Sequence, residues 1–204
     1  MMRIDSVAAQ PDMAGRFRVT FSDGSVMRLY KQTVQDFGLY AGLELTEEEM
    51  QNLQTEASKM SAKMRAVRIV SASSVSKRDL EQRLIQKGED ASCAKEAVSW
   101  LEDLNLLDDK KTAEQIVSRC VSKGYGIARA KQALYEKRIP KAYWSEALAE
   151  YPDQTDAIRA YIENHLPEDA DQKAVKKVID ALLRKGHSYS DIRRGLDGRG
   201  VLED

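Results

Sequence analysis

The chain has 204 residues, 42% of them hydrophobic and only 6% aromatic, which suits one large or two small helical domains with a modest core. Charged residues make up 32% but sum to a net charge of −1, so the molecule as a whole does not attract nucleic acid and any basic surface must be local. No apolar run is long enough to span a bilayer and MMRIDSVAAQ lacks a signal-peptide core, so a soluble, cytoplasmic protein with no membrane association is expected. Cys93 and Cys120, far apart and in no metal-ligand spacing, are expected as reduced thiols.

The first forty-five residues differ in character from the rest. Phe17, Val19 and Phe21 alternate with Arg16, Arg18 and Thr20 as a half-buried strand, and Asp23-Gly24 supplies the turn before a second strand over Val26 to Tyr30. A two-stranded hairpin alone is only marginally stable, so a third strand or a packed helix is required, and Arg3 to Ala8 is the candidate edge strand. Lys31 to Phe37 reads as a short helix stopped by Gly38. The segment is expected to cap the helical part, with strand addition to a partner as the alternative use of its edge.

Thr46 opens a long helix, with Glu49 completing a capping box and three glutamates complementing the positive end of the helix dipole. Met50, Leu53, Ala57, Met60, Met64 and Val67 advance by threes and fours and are expected as its buried face, a methionine-rich packing seam and not a cofactor box. Lys63, Arg65 and Arg68 are expected on the solvated side. Residues 71–76, SASSVS, interrupt the helix as a turn or, alternatively, a hinge.

One helical unit then occurs three times. SKRDLEQRLIQKG, from Ser76 to Gly88, places Leu80 and Leu84 on one helical face, with Ser76 as cap and Gly88 as stop. At a period of about fifty residues GIARAKQALYEKR puts Ala130 and Leu134 at the matching positions, and AVKKVIDALLRKG puts Val178, Leu182 and Gly186 there. The register continues downstream, where Ala94 and Val98 correspond to Trp144 and Leu148 and then to Ile192 and Leu196. Upstream, helices beginning at Ala113 and Ala157 precede the second and third copies. The fold class expected is mainly α, with three tandem three-helix repeats in an elongated curved array and a small N-terminal β-hairpin region. The parts are residues 1–45 (the β-hairpin and short-helix cap), 46–108, 109–152 and 153–204. Three unrelated helix pairs are the alternative.

Equivalent helices carry equivalent charge. Lys77, Arg78, Arg83 and Lys87 lie on the first repeated helix, Arg129, Lys131, Lys137 and Arg138 on the second, and Lys176, Lys177, Arg184 and Lys185 on the third. They are candidates for contact with phosphate or with acidic protein surface, against the plainer reading of solvated faces. No catalytic residue, metal site or cofactor is expected. His165 and His187 stand outside any triad or ligand pattern and read as surface histidines near helix ends, and Lys123-Gly-Tyr-Gly126 lacks the preceding strand and the Gly-Lys-Ser/Thr ending of a phosphate loop. An autonomous helix-turn-helix DNA-binding protein remains as a separate reading.

The order Ser76, Leu80, Leu84, Lys87, Gly88, then Leu104-Asn-Leu-Leu-Asp-Asp109, Ala113 and Lys123-Gly-Tyr-Gly126, with Ala130 and Leu134 following, resembles the RecX family over nearly the whole chain. Asp23-Gly24, Gly38-Leu-Tyr-Ala-Gly42 and the acidic helix start fit the same family. The chain departs from it at Ser73, Ser74 and Val75, where basic residues are usual, at Thr112, where an aromatic is usual, and at Arg138, where a glycine is usual. The resemblance implies a monomeric protein that binds the RecA recombinase filament on single-stranded DNA, with weak direct DNA binding as a further property. It would restrain the ATPase, strand exchange and filament growth.

Overall fold

The structure, a computed structural model, describes residues 1–167 and 170–197; the end of the expected third repeat, residues 198–204, lies outside the described residues. The chain is mainly helical, with a small N-terminal antiparallel sheet. It divides into two units: residues 1–73 with 80–106, and residues 74–79 with 107–204. The expected strand cap and most of the first repeat thus share one unit, and the second and third repeats share the other.

In the first unit, strands β1 (Met2–Val7), β2 (Arg16–Phe21), β3 (Val26–Tyr30) and β4 (Glu44–Leu45) form a sheet in the order β3-β2-β1-β4. The sequence leaves β1 at the edge; instead β1 is internal, because the two-residue β4 pairs with it through Met2 and Arg3. A pair of residues is too short to show an alternating pattern, so this strand leaves no trace in sequence. Ile4, Val19, Phe21, Leu29 and Leu45 meet Leu39 and Leu53 in one buried cluster. The short helix α1 (Lys31–Asp36) follows β3 directly and ends before Gly38.

Helix α2 (Glu47–Ala72) starts where the capping box places it: Glu49 N donates to Thr46 Oγ1 at 3.2 Å and Thr46 N donates to Glu49 Oε2 at 2.8 Å. Its buried face shifts along its length. Met50, Leu53 and Ala57 pack on the sheet cluster, but farther on the fully buried positions are Ala62 and Ala66, while Met60, Met64 and Val67 are half-buried. The cause is a change of partner. Lys59 reaches Glu96 at 4.0 Å and Lys63 lies 5.4 Å from the Trp100 ring, so this half of α2 lies against α4 (Ala91–Asp103), which buries Ala94 and Ala97 in turn. The cations expected in solvent are therefore occupied. Arg65 Nε donates to Glu89 Oε1 at 2.6 Å, with Glu89 only 7% exposed, and Arg68 donates to Ala14 O and Tyr30 Oη.

Helix α3 (Lys77–Gln86) lies between α2 and α4 in sequence. The second unit continues with α5 (Asp109–Ser122) and α6 (Ile127–Glu136), then a 3-10 turn over Lys141–Tyr143 that runs into the short α7 (Trp144–Leu148). Helices α8 (Thr155–His165), α9 (Gln172–Arg184) and α10 (Tyr189–Leu196) complete it. Leu80, Leu84, Ala130, Leu134 and Leu182 are 0% exposed and Val178 6%. Trp144 and Leu148 are only half-buried, whereas their counterparts Ala94, Val98, Ile192 and Leu196 are fully buried.

α3, α6 and α9 end in one motif. Glu89 N donates to Leu84 O, Ile139 N to Leu134 O and His187 N to Leu182 O, each across a residue of positive φ: Gly88 (89°), Arg138 (54°) and Gly186 (89°). Arg138 thus holds a conformation that favours glycine, the residue that stands at the equivalent positions of the other two copies, Gly88 and Gly186. Arg138→Gly is expected to raise stability by about 0.5–1 kcal/mol, since relief of left-handed strain exceeds the added freedom of the unfolded chain. Urea unfolding checks this, and an unchanged or lower midpoint would mean that the Arg138 side chain offsets its own strain.

Candidate functional site

Two backbone joints position the candidate site, both in the second unit. At the first, the C-terminal end of α9 meets the N-terminal end of α6: Gly126 N donates to Lys185 O at 3.0 Å and Ala128 N to Gly186 O at 3.3 Å. Free amides of a helix start thus satisfy free carbonyls of a helix end. Both glycines are needed for the approach, because a Cβ on Gly126 would lie 2.0 Å from Gly186 O and one on Gly186 would lie 2.3 Å from Arg129 N. At the second joint, Ser76 caps α3 by accepting from Asp79 N at 3.1 Å and donates its hydroxyl to Lys137 O at 2.7 Å, while Lys77 N donates to Asp109 Oδ1 at 2.8 Å.

The residue after each cap ties its helix down by different chemistry. Glu89 is ion-paired to Arg65, Ile139 packs in a cluster with Ala113, Ile116 and Val117, and His187 donates from Nε2 to Gly124 O at 2.9 Å. His187 is 5% exposed, so the expectation of a surface histidine is corrected. It fills the space behind the glycine joint, and burial lowers its pKa against the opposing pull of the Gly124 bond. His165 is exposed, as expected, but it is not isolated: its ring stacks on Tyr161 at 4.0 Å and 14°, and its Nδ1 donates to Tyr161 O.

Beside the first joint lies a cleft of about 350 Å³ lined by Tyr125, Arg129, Tyr161, Ala181, Arg184 and Lys185. Lys185 Nζ sits 4.9 Å from the Tyr161 ring centroid and 5.6 Å from that of Tyr125, held by the negative ring faces. Tyr151 steadies the site from behind by donating its hydroxyl to Tyr125 O at 2.7 Å; burial pushes its pKa up to about 12, so it remains a donor. Arg129 leans on Glu136 at 3.2 Å, both partly exposed. Among the described residues Arg184 and Lys185 have no carboxylate partner.

Of the twelve candidate cations, the structure gathers Arg129, Arg184 and Lys185 into this cleft. Lys131, Lys176 and Lys177 are exposed elsewhere on α6 and α9. Lys137 is half-buried and Arg138 exposed at the second joint, while Arg78 and Lys87 are exposed and Lys77 and Arg83 half-buried on and beyond α3. Sequence reading missed the tyrosines. Tyr125 reads as part of a helix break and Tyr161 as one more apolar residue in AIRAYI; only the glycine joint brings the two rings to one ammonium.

A second pattern recurs on the surface. The residue following each buried leucine is large, apolar and exposed: Ile85 (41%), Tyr135 (68%) and Leu183 (43%), with a lysine two positions further on at Lys87, Lys137 and Lys185. Among the described residues no group of three His, Cys, Asp or Glu side chains is placed to hold a metal, and burial raises the pKa of both Cys93 and Cys120, leaving them as protonated free thiols. No helix of the described residues is long and apolar enough to cross a membrane.

No protein-family model matches the chain. It is 26% identical over 200 residues to regulatory protein RecX of Clostridioides difficile (strain 630), covering 95% of this chain and 94% of that protein. It is 32% identical over 142 residues to regulatory protein RecX of Chlorobaculum tepidum, covering 68% of this chain and 88% of the relative. A crystal structure of regulatory protein RecX superposes with a TM-score of 0.63 at 19% identity, over 95% of this chain and 100% of that one, which shows the shared fold. A relative above 30% identity, matched over most of its length, places this chain in the RecX family of regulatory proteins.

Proposed function

We propose that the chain acts by binding the RecA recombinase filament on single-stranded DNA, restraining its ATPase, strand exchange and growth. The observation that carries this reading is a threefold recurrence: each repeated helix offers an exposed apolar side chain and a lysine in the same register, at Ile85 and Lys87, Tyr135 and Lys137, Leu183 and Lys185. Single exposed apolar residues are ordinary, but the same position exposed in every copy suits a partner that is itself a repeat of identical subunits. The repeat boundaries at residues 46, 109 and 153 belong to this proposal, each delimiting one such contact.

The test is RecA ATPase on single-stranded DNA with this protein at substoichiometric amounts. The rate is expected to fall. Ile85→Ser, Tyr135→Ser and Leu183→Ser together are expected to raise the concentration needed for half-inhibition by about 10-fold or more, with helical circular dichroism unchanged. Sequence-selective binding to bare duplex with no effect on the recombinase would replace this reading with that of an autonomous DNA-binding protein.

A further inference from the structure

We infer that the cleft between α6, α8 and α9 is a stacking site for one nucleotide unit of single-stranded DNA, with phosphate on the three cations and the base on a tyrosine ring. The inference concerns direct contact with a strand and does not depend on a recombinase being present. Its lining combines the two chemistries a single strand needs. Arg129, Arg184 and Lys185 put three positive charges at the rim of one cleft, and Tyr125 and Tyr161 supply ring faces within 5.6 Å of the same ammonium. Among the described residues the carboxylate that engages them is Glu136, which holds Arg129 through an exposed contact at 3.2 Å that a phosphate can displace.

The flexible stem of Lys185 lets Nζ swing from the rings to a phosphate oxygen, which frees a ring face for a base. His165 stacks on one face of Tyr161, which leaves a base the other face of that ring and the Tyr125 ring. Bases of a duplex are already stacked on one another and cannot reach these rings, so the site discriminates for single strands without reading sequence. The platform is also rigid. The Tyr151 bond fixes Tyr125, and the glycine joint sets Arg129 against Lys185 through backbone hydrogen bonds.

The experiment uses fluorescence anisotropy with the full chain, comparing a labelled oligothymidylate, an abasic deoxyribose-phosphate strand of the same length, and inorganic polyphosphate. The oligothymidylate is expected to bind about 5-fold or more tightly than the abasic strand, through base stacking. Neutralising the one phosphate gives a slope of about −0.7 in the logarithm of affinity against the logarithm of salt. Arg184→Gln with Lys185→Gln lowers affinity for both strands and brings the slope toward zero. Tyr161→Leu keeps the apolar volume that packs on the α8–α10 core, and is expected to abolish the preference for the base-bearing strand while leaving the abasic strand unaffected. Arg119→Gln, exposed on α5 outside the cleft, should change nothing. Cross-linking of a 5-bromodeoxyuridine strand to Tyr125 or Tyr161 is the positional readout. Equal affinity for thymidylate and abasic strands, equal displacement by polyphosphate, or preference for duplex would each overturn the proposal, and none of these results bears on recombinase inhibition.

Discussion

Gly186→Ala is expected to destabilise the second unit by about 3 kcal/mol or more, while the same change at Gly88 costs only about 1–2 kcal/mol. The two glycines share a backbone conformation, each at φ 89° as the left-handed residue that ends a repeated helix. Their surroundings differ. A Cβ at Gly88 meets nothing within 4 Å, so alanine there carries only the left-handed penalty. One at Gly186 would lie 2.3 Å from Arg129 N and 2.9 Å from its Cα, and backbone cannot rotate out of the way, so the α9 end must part from the start of α6. Gly126→Ala isolates the second effect, because φ there is an ordinary −77° yet the new carbon would lie 2.0 Å from Gly186 O. Urea unfolding measures all three. Trp144 fluorescence in a Trp100→Phe background reports on the second unit, where Gly126 and Gly186 lie, and Trp100 fluorescence in a Trp144→Phe background reports on the first, where Gly88 lies. Losses at Gly186 and Gly88 within about 0.5 kcal/mol of each other, the range of an ordinary surface substitution, would mean the joint is not a close contact in solution.

What sequence made legible was local, and what it hid was decided by partners distant in the chain. Thr46 with Glu49, and Ser76 with Asp79, are caps whose donor and acceptor lie three residues apart, so short spacing suffices to read them. Leu84, Leu134 and Leu182 were recoverable because a repeat states the same burial three times. The second half of α2 was not. Its apolar series points to Met60 and Met64, but the approach of α4 selects Ala62 and Ala66, and small residues give no periodic signal of their own. Arg65 and Lys63 look like solvent cations until Glu89 and Trp100, more than twenty residues away, are seen beside them. At the candidate site the basic residues were visible as charge on repeated helices, whereas selecting Arg129, Arg184 and Lys185 from the twelve required the α6–α9 joint, a backbone contact between glycines that no side-chain pattern encodes.

Truncating the equivalent leucines separates equivalence of position from equivalence of packing. Leu134→Ala and Leu182→Ala both remove a side chain that is 0% exposed, and both fall in the range of about 2–5 kcal/mol for buried leucine. Within that range the cost depends on how far the site collapses around the missing atoms. Leu182 belongs to a cluster with Ile158, Ile162, Leu166, Val175, Val178, Ile192 and Leu196, all buried, and α8 is held so close to α10 that a Cβ on Gly195 would lie 2.5 Å from Ile158 Cγ2. Such a core has no slack, so the cavity persists and the loss is expected at about 4–5 kcal/mol. Leu134 is packed by fewer buried residues and by Tyr143, Trp144, Leu148 and Tyr151, which are only partly buried on a short helix and its flanks. Those side chains can slide inward, and the loss is expected at about 2–3 kcal/mol. The same Trp144-monitored urea titration orders the two variants, and a blue shift of Trp144 emission in Leu134→Ala would report the inward movement. A larger loss at Leu134 than at Leu182 would show that the α7 side chains are fixed, and that the short helix is as rigid a wall as the full-length α10.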